Sequence, residues 1–217
     1  MWSAPVGTKI AAAVAGLAAI GIVALLACAR AEDRMPPLPL VKYSEVQRKA
    51  LVEFAREGRQ PLSGPFVPLL RSPELMLSAK SMGDYLRLRS PLPRRVGEMV
   101  ILLVCREWTQ QVEWQIHYPL ALQAGLPHKT VEAIADGRRP DDLAPEERIA
   151  YDLSLEILRN RRVSEETYHR AVQAFGEQGV VDLLGLTGYY SFLATVMNAA
   201  RTGTPDVAVV PLRSFPD

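Results

Sequence analysis

The chain has 217 residues, 48% hydrophobic, 23% charged and 7% aromatic, which is enough for one globular domain with a real core. A formal net charge of +1, without any Lys/Arg block interleaved with aromatics, argues against a nucleic-acid partner. Two cysteines, Cys28 and Cys105, are too few for a disulfide scaffold.

The first 31 residues differ in kind from the rest. Lys9 precedes an uncharged apolar run over residues 10–29, and Ala29-Arg30-Ala31 forms a small-x-small site before the polar EDRMPP. This predicts a signal peptide over 1–31, cleaved after Ala31. Two alternatives stay open. The run is long enough to remain as a membrane anchor, since about 20 apolar residues span a bilayer. Leu25-Leu26-Ala27-Cys28 also loosely resembles a lipoprotein signal with Cys28 lipidated. Each places the domain outside the cytoplasm, periplasmic or secreted, with membrane contact only through the leader. Cleavage removes Lys9 and Arg30, two of the 25 basic residues, leaving 23 against 24 acidic and Cys105 as the only thiol.

Residues 32–42, EDRMPPLPLVK, read as a proline-rich linker, residues 43–205 as the folded domain, and 206–217 as a tail. Ser44-Glu45-Val46-Gln47 is a capping-box signature, opening a helix that stops at Gly58. Pro61, Pro65 and Pro68 make a loop or short turns. Ser72-Pro73-Glu74 predicts an N-cap and a proline at the first helical position, for a helix running to about Arg89. An apolar helix follows over 96–108, and Thr109 can cap the next, which ends at Gly125. Pro119 lies within that helix and is expected to kink or split it after His117. Further helices run from Pro127 to about Gly137, from Pro145 to about Arg161, from Ser164 to about Gly176, and from about Val180 to Ala200. No strand-type alternation appears, so the reading is all-α, about seven helices in a single domain.

Polar groups in apolar places carry the functional signal. Glu98 begins the run at residues 99–105, where a carboxylate also suits the first turn of a helix. Glu113 and His117 are spaced i,i+4 and share a helix face, beside Ile116, Tyr118 and Leu120. A half-buried histidine beside a carboxylate suits a proton carrier, and equally a satisfied core histidine. Asp182, Thr187, Tyr189, Tyr190, Ser191 and Asn198 punctuate the last helix, where helix packing is the ordinary explanation. No CxxC or HExxH occurs, and His128 and His169 lie in polar helical contexts. A metal would need a third ligand beside Glu113 and His117, with Glu98 the one attractive candidate. Neither a metal nor a cofactor is expected.

The segment GEMVILLVCREWTQQVEWQIHYPLALQAGLPHKTVEAIADGRRP, continued by DDLAPEERIAYDLSLEIL and RVSEETYHRAVQAFGEQGVVDLLGLTGYYSFLATVMNA, resembles the carboxymuconolactone decarboxylase family. That superfamily includes the alkylhydroperoxidase D-like proteins, and the resemblance covers about residues 45–205. Its peroxidase branch is similar to a pattern of glutamate, CxxC, then histidine four residues later. Matching His117 to that histidine puts Glu98 on the glutamate and Gln110 and Glu113 where the cysteines would stand. Thiol peroxide reduction needs an attacking and a resolving thiol, and this chain lacks both at those places.

The decarboxylase branch implies a cofactor-free reaction with His117 as general acid/base, Glu98 orienting it, and Glu113 as a second acid. Arg106 is then the candidate to hold an anionic substrate, and Trp108, Trp114, Tyr118 and Tyr189 are candidate walls of the pocket. The resemblance also implies a homo-oligomer, trimer or hexamer. Three functions follow: decarboxylation or isomerisation of a small lactone or carboxylic acid, antioxidant peroxidase activity, and a non-catalytic exported helical protein.

Overall fold

The capping signals of the sequence set most helix starts in the computed structural model, which describes residues 32–56, 62–204 and 211–213. Helix α1, Glu45–Ala55, opens on a full capping box. Ser44 Oγ accepts the Gln47 N–H at 3.2 Å, and the Gln47 side chain accepts the Ser44 N–H at 2.9 Å. The single turn α2, Phe66–Leu69, falls in the proline-broken stretch, and α3 is Pro73–Leu88. Proline leads α3 as expected, although Ser72 makes no side-chain cap bond. Then come α4 (Arg94–Glu107), α5 (Gln111–Gln123), α6 (His128–Ala135), α7 (Pro145–Asn160) and α8 (Glu165–Ala200). Residues 32–217 belong to one compact unit. The all-α, single-domain expectation holds: among the described residues there are eight α-helices, one 3-10 turn at Leu40–Lys42, and no strand.

Helix α4 is the hub. Every residue from 98 to 106 is buried, so the helix is apolar nearly all round and packs against α5, α6, α7 and α8. Its two polar ends, Glu98 and Arg106, are therefore the only places where this helix can bring charge to the interior. Helix α8 is long and apolar enough to cross a membrane by length and composition. More than half of its apolar window is buried, against α3, α4 and α7, which makes it a core helix.

The break expected at Gly176 is present: the residue leaves the helical region, at φ 68° and ψ 172°, and α8 is two helical segments joined across that kink. Glycine tolerates that left-handed φ because it has no Cβ. Other expectations need correction. Thr109 does not cap α5. It takes φ 46°, and the cap is Gln110, whose Oε1 accepts the Val112 N–H at 2.6 Å. Pro119 does not split α5, which runs unbroken to Gln123 and gives up only the bond that residue 119 would have made to the Gln115 carbonyl. The proline-rich segment makes contacts of its own: the Arg34 N–H donates to the Ala200 carbonyl at 2.7 Å, and Arg71 Nη2 donates to the Pro36 carbonyl at 2.8 Å. The first of these bonds satisfies a carbonyl that the end of α8 leaves without a helical partner.

The expected leader at 1–31, with its cleavage, anchoring or lipidation at Cys28, lies outside the described residues. Of the tail, residues 211–213 are described, and Leu212 is buried in the core.

Candidate active site

Two helix starts bring the central groups together. Glu98 lies on the fifth residue of α4 and His117 on the seventh of α5, and these helices pack side by side. His117 Nδ1 stands 2.7 Å from Glu98 Oε2. Its Nε2 lies 3.3 Å from Glu113 Oε2, one turn back on the same helix, and 3.1 Å from the hydroxyl of Tyr190 on α8. The imidazole and Tyr190 rings meet edge to face at 5.1 Å. All four groups are buried: His117 is 1% exposed, Tyr190 2%, Glu113 4% and Glu98 8%. The three expected catalytic residues thus converge, and Tyr190 joins them.

Burial disfavours the imidazolium, but hydrogen bonds to Glu113 and Glu98, reinforced by their charge, outweigh it and raise the His117 pKa above its ordinary value. Burial likewise pushes the Tyr190 hydroxyl well above its usual range, with the Glu113 charge adding to the rise and Arg87 opposing it. Both shifts favour the protonated forms, the imidazolium and the neutral phenol, which are the forms able to give a proton.

This centre forms the floor of a cavity of about 210 Å³. His117, Glu113 and Tyr190 reach its surface, whereas Glu98 stands behind the imidazole. Phe54 of α1, Phe66 of α2, Ile116 of α5, and Tyr189 and Leu193 of α8 form apolar walls. Gly83 of α3 makes room for Tyr189, since a Cβ there would collide with the Tyr189 ring and hydroxyl. Ser63 and Arg87, both exposed, stand at the mouth.

Of the five expected substrate-binding residues, the structure brings only Tyr189 to the cavity. Arg106 is buried at the far end of α4, where Nη1 donates to the Arg213 carbonyl at 2.5 Å. Gln111 secures the same segment, exchanging bonds of 2.6 and 3.0 Å with the Leu212 backbone. Arg106 therefore ties down the tail rather than facing the cavity. Trp108 ends α4 and is 39% exposed, with its carbonyl accepting from Asn198 Nδ2. Trp114 is buried and meets Tyr118 edge to face, and Tyr118 faces His128 on the other side. None of these four is among the residues that line the cavity.

Arg87, Phe54 and Phe66 went unnoticed in the sequence, because nothing local to α1, α2 or α3 signals that they meet α5 and α8. Tyr190 left a faint signal, a polar residue inside an apolar helix.

Among the described residues, no group of three or more His, Cys, Asp or Glu side chains has the geometry to hold a metal ion. Both ring nitrogens of His117 already face carboxylates, so a metal would have to displace one of those contacts.

No family model matches the sequence, and no curated protein matches it. Solved structures do. The alkylhydroperoxidase AhpD core of an uncharacterized peroxidase-related protein from Ralstonia eutropha superposes with a TM-score of 0.63 at 17% identity, over 80% of this chain and 92% of that one. An uncharacterized peroxidase-related protein from a Silicibacter species gives 0.64 at 16% identity, over 81% and 93%. A protein of unknown function from Agrobacterium tumefaciens gives 0.55 at 12% identity, over 63% and 94%. The fold is that of the alkylhydroperoxidase D core.

On this alkylhydroperoxidase D-like frame, the two places that the resemblance assigns to cysteines do other work. Gln110 caps α5 and donates through Nε2 to Asn198 Oδ1 at 2.7 Å, fastening α5 to α8. Glu113 faces His117. Cys105 is buried in α4, and burial, with the charge of Glu113 behind it, pushes its thiol pKa well up. A thiol so held is a poor nucleophile, because the thiolate is the reactive form.

Proposed function

We propose that the protein is a cofactor-free acid–base catalyst, carrying out decarboxylation or isomerisation on a small lactone or carboxylic acid. One observation carries this reading: an imidazole fixed on one nitrogen by Glu98 turns its other nitrogen, beside Glu113 and Tyr190, toward an apolar cavity. In an isomerisation, the Glu113 carboxylate takes a proton from one carbon, and His117 Nε2–H delivers one to another. In a decarboxylation, the bond to the departing carboxyl breaks, its electron pair passes to the neighbouring carbon framework, and the imidazolium protonates the resulting carbanion. Glu98 touches no substrate in either case. It positions the ring and balances its charge, as a third group commonly does for a catalytic histidine. The chain's resemblance to the carboxymuconolactone decarboxylases and its polar centre agree on this chemistry. The apolar leader adds that the chemistry takes place outside the cytoplasm.

The test is turnover of 4-carboxymuconolactone and related lactones, followed by ultraviolet absorbance. His117→Gln is expected to lower it by about 10²–10⁴-fold. Activity should fall as pH rises through the raised His117 pKa, because the donor is the imidazolium. The groups around it are Glu98 on α4, Glu113 on α5 and Tyr190 on α8, with Arg87 of α3 lining the same cavity. Equal activity, or equal inactivity, in wild type and His117→Gln across the panel sinks the reading.

The peroxidase-related neighbours favour a second reading, peroxide reduction. The buried Cys105 speaks against it, and Cys105→Ala should leave any peroxide reduction unchanged. A large loss would show thiol chemistry after all.

A further inference from the structure

The cavity is not uniform in charge. Its floor carries two glutamates around one imidazole, while its mouth carries Arg87, the only arginine or lysine among its described lining residues. Arg87 is the last-turn basic residue of α3 and is exposed. Among the described residues its guanidinium has no hydrogen-bond or ion-pair partner. Arg95, Arg139 and Arg159, by contrast, are each held by a carboxylate, from Glu147, Asp152 and Glu107. The charge of Arg87 nevertheless reaches inward far enough to act on the buried Tyr190 hydroxyl.

Between mouth and floor the surface is apolar. Phe54 and Phe66 meet edge to face with centroids 4.9 Å apart, and Leu193 and Ile116 complete the wall. The volume of about 210 Å³ matches some seven water molecules at about 30 Å³ each. It lies below the roughly 300 Å³ at which drug-sized sites begin, which favours a small ligand.

We propose that the site takes a small amphipathic organic anion with a single carboxylate, held by Arg87 at the mouth, its apolar body along Phe54, Phe66 and Leu193, and its uncharged end at His117. This rests on the proton-transfer reading and narrows it. A carboxylate held at the mouth is remote from the proton donor and is not the group that leaves. A second carboxylate at the floor would meet Glu113 at the cavity surface, with Glu98 behind the imidazole adding like charge, and like charges repel. The proton therefore moves on the uncharged end, which selects isomerisation, or proton transfer next to a lactone carbonyl, over loss of the anchored carboxyl. Arg87 is thus a specificity-determining residue, matched to carboxylates by its planar fork of donors.

The experiment is isothermal titration calorimetry of the full-length protein with hexanoate at low salt. Hexanamide and adipate are compared as neutral and doubly charged probes of similar length. Hexanoate should bind about tenfold or more tightly than either. Arg87→Gln should weaken hexanoate about tenfold and bring it level with hexanamide, and Arg87→Lys should recover part of the loss. Arg89→Gln, at the C-cap of the same helix and outside the cavity lining, should bind as wild type does. Hexanoate binding that is absent in wild type, unchanged in Arg87→Gln, or matched by hexanamide overturns the proposal. Tight adipate binding would equally overturn the single-anion claim. Arg87-dependent binding without His117-dependent turnover would sink the proton-transfer reading alone. His117-dependent turnover indifferent to Arg87 would sink the anion site alone.

Discussion

Burial alone would lower the pKa of an imidazole, and that of His117, 1% exposed, is raised instead because two carboxylates flank its nitrogens. That arrangement links the residue to folding stability with a definite sign. A histidine whose folded pKa stands above the unfolded value of about 6.5 contributes stability that is fully present below that pH. The contribution is lost as pH rises through the folded pKa. The raised thiol of Cys105 and phenol of Tyr190 change stability in the same direction, but only near and above their own higher ordinary values. Urea unfolding between about pH 6.5 and 8 should therefore show stability falling with pH, at no more than about 1.4 kcal/mol per pH unit. His117→Gln should flatten that slope. A slope unchanged by the substitution would mean that His117 is neutral in the folded protein. Much of this centre was legible beforehand: the i,i+4 spacing put Glu113 and His117 on one face, and the resemblance brought in Glu98. Arg87 and Tyr190 were not legible as members, because their approach depends on how α3 and α8 pack across about 70 to 100 residues of chain.

At the scale of elements, the α4–α5 junction sets the register that brings Glu98 to His117. It does so through a threonine at φ 46°, a conformation that costs a β-branched residue about 1–3 kcal/mol. Asparagine tolerates the left-handed region better. Thr109→Asn is therefore expected to stabilise the protein by about 0.5–1 kcal/mol, which raises the thermal midpoint by about 1–4 °C for a domain of this size. It should leave His117-dependent activity intact, and a lower midpoint in calorimetry would mean that the threonine side chain contributes more than its backbone costs. Helix starts were readable because Ser44, Pro73, Pro145 and Ser164 act locally, through bonds and φ values set within one turn. Thr109 and Pro119 misled because tertiary packing overrode local preference, with Gln110 free to cap α5 and buried neighbours holding that helix through its proline. The contacts of the linker were not legible for a related reason. Its bonds go to Ala200 and Pro36's partner Arg71, neither of which is near it in the direction a turn signal can register.

At the scale of the whole molecule, the alkylhydroperoxidase D-like fold supplies a frame in which α1, α2, α3, α5 and α8 each lend a wall to one cavity. The fold class could be read from helix punctuation alone, since it needs only the absence of strand patterns and a long apolar hub. The cavity could not, because it exists only where five helices meet. Its chemistry differs from what a CxxC pair would provide, with a carboxylate where a thiol would stand and the one described cysteine sealed in α4. The proposed proton transfer between solvent and a bound carbon acid would use these parts together: the donor, the largely apolar cavity walls and the cation at its mouth. The most direct measurement is deuterium incorporation from D₂O into a panel of small lactones and monocarboxylates, read by mass spectrometry for wild type and for His117→Gln, with both checked for folding by circular dichroism. Wild type should place deuterium on carbon in at least one member of the panel, and His117→Gln should lose that incorporation by about 10²-fold or more. Incorporation that proceeds equally fast without the imidazole, or that wild type never shows, would contradict acid–base catalysis at His117.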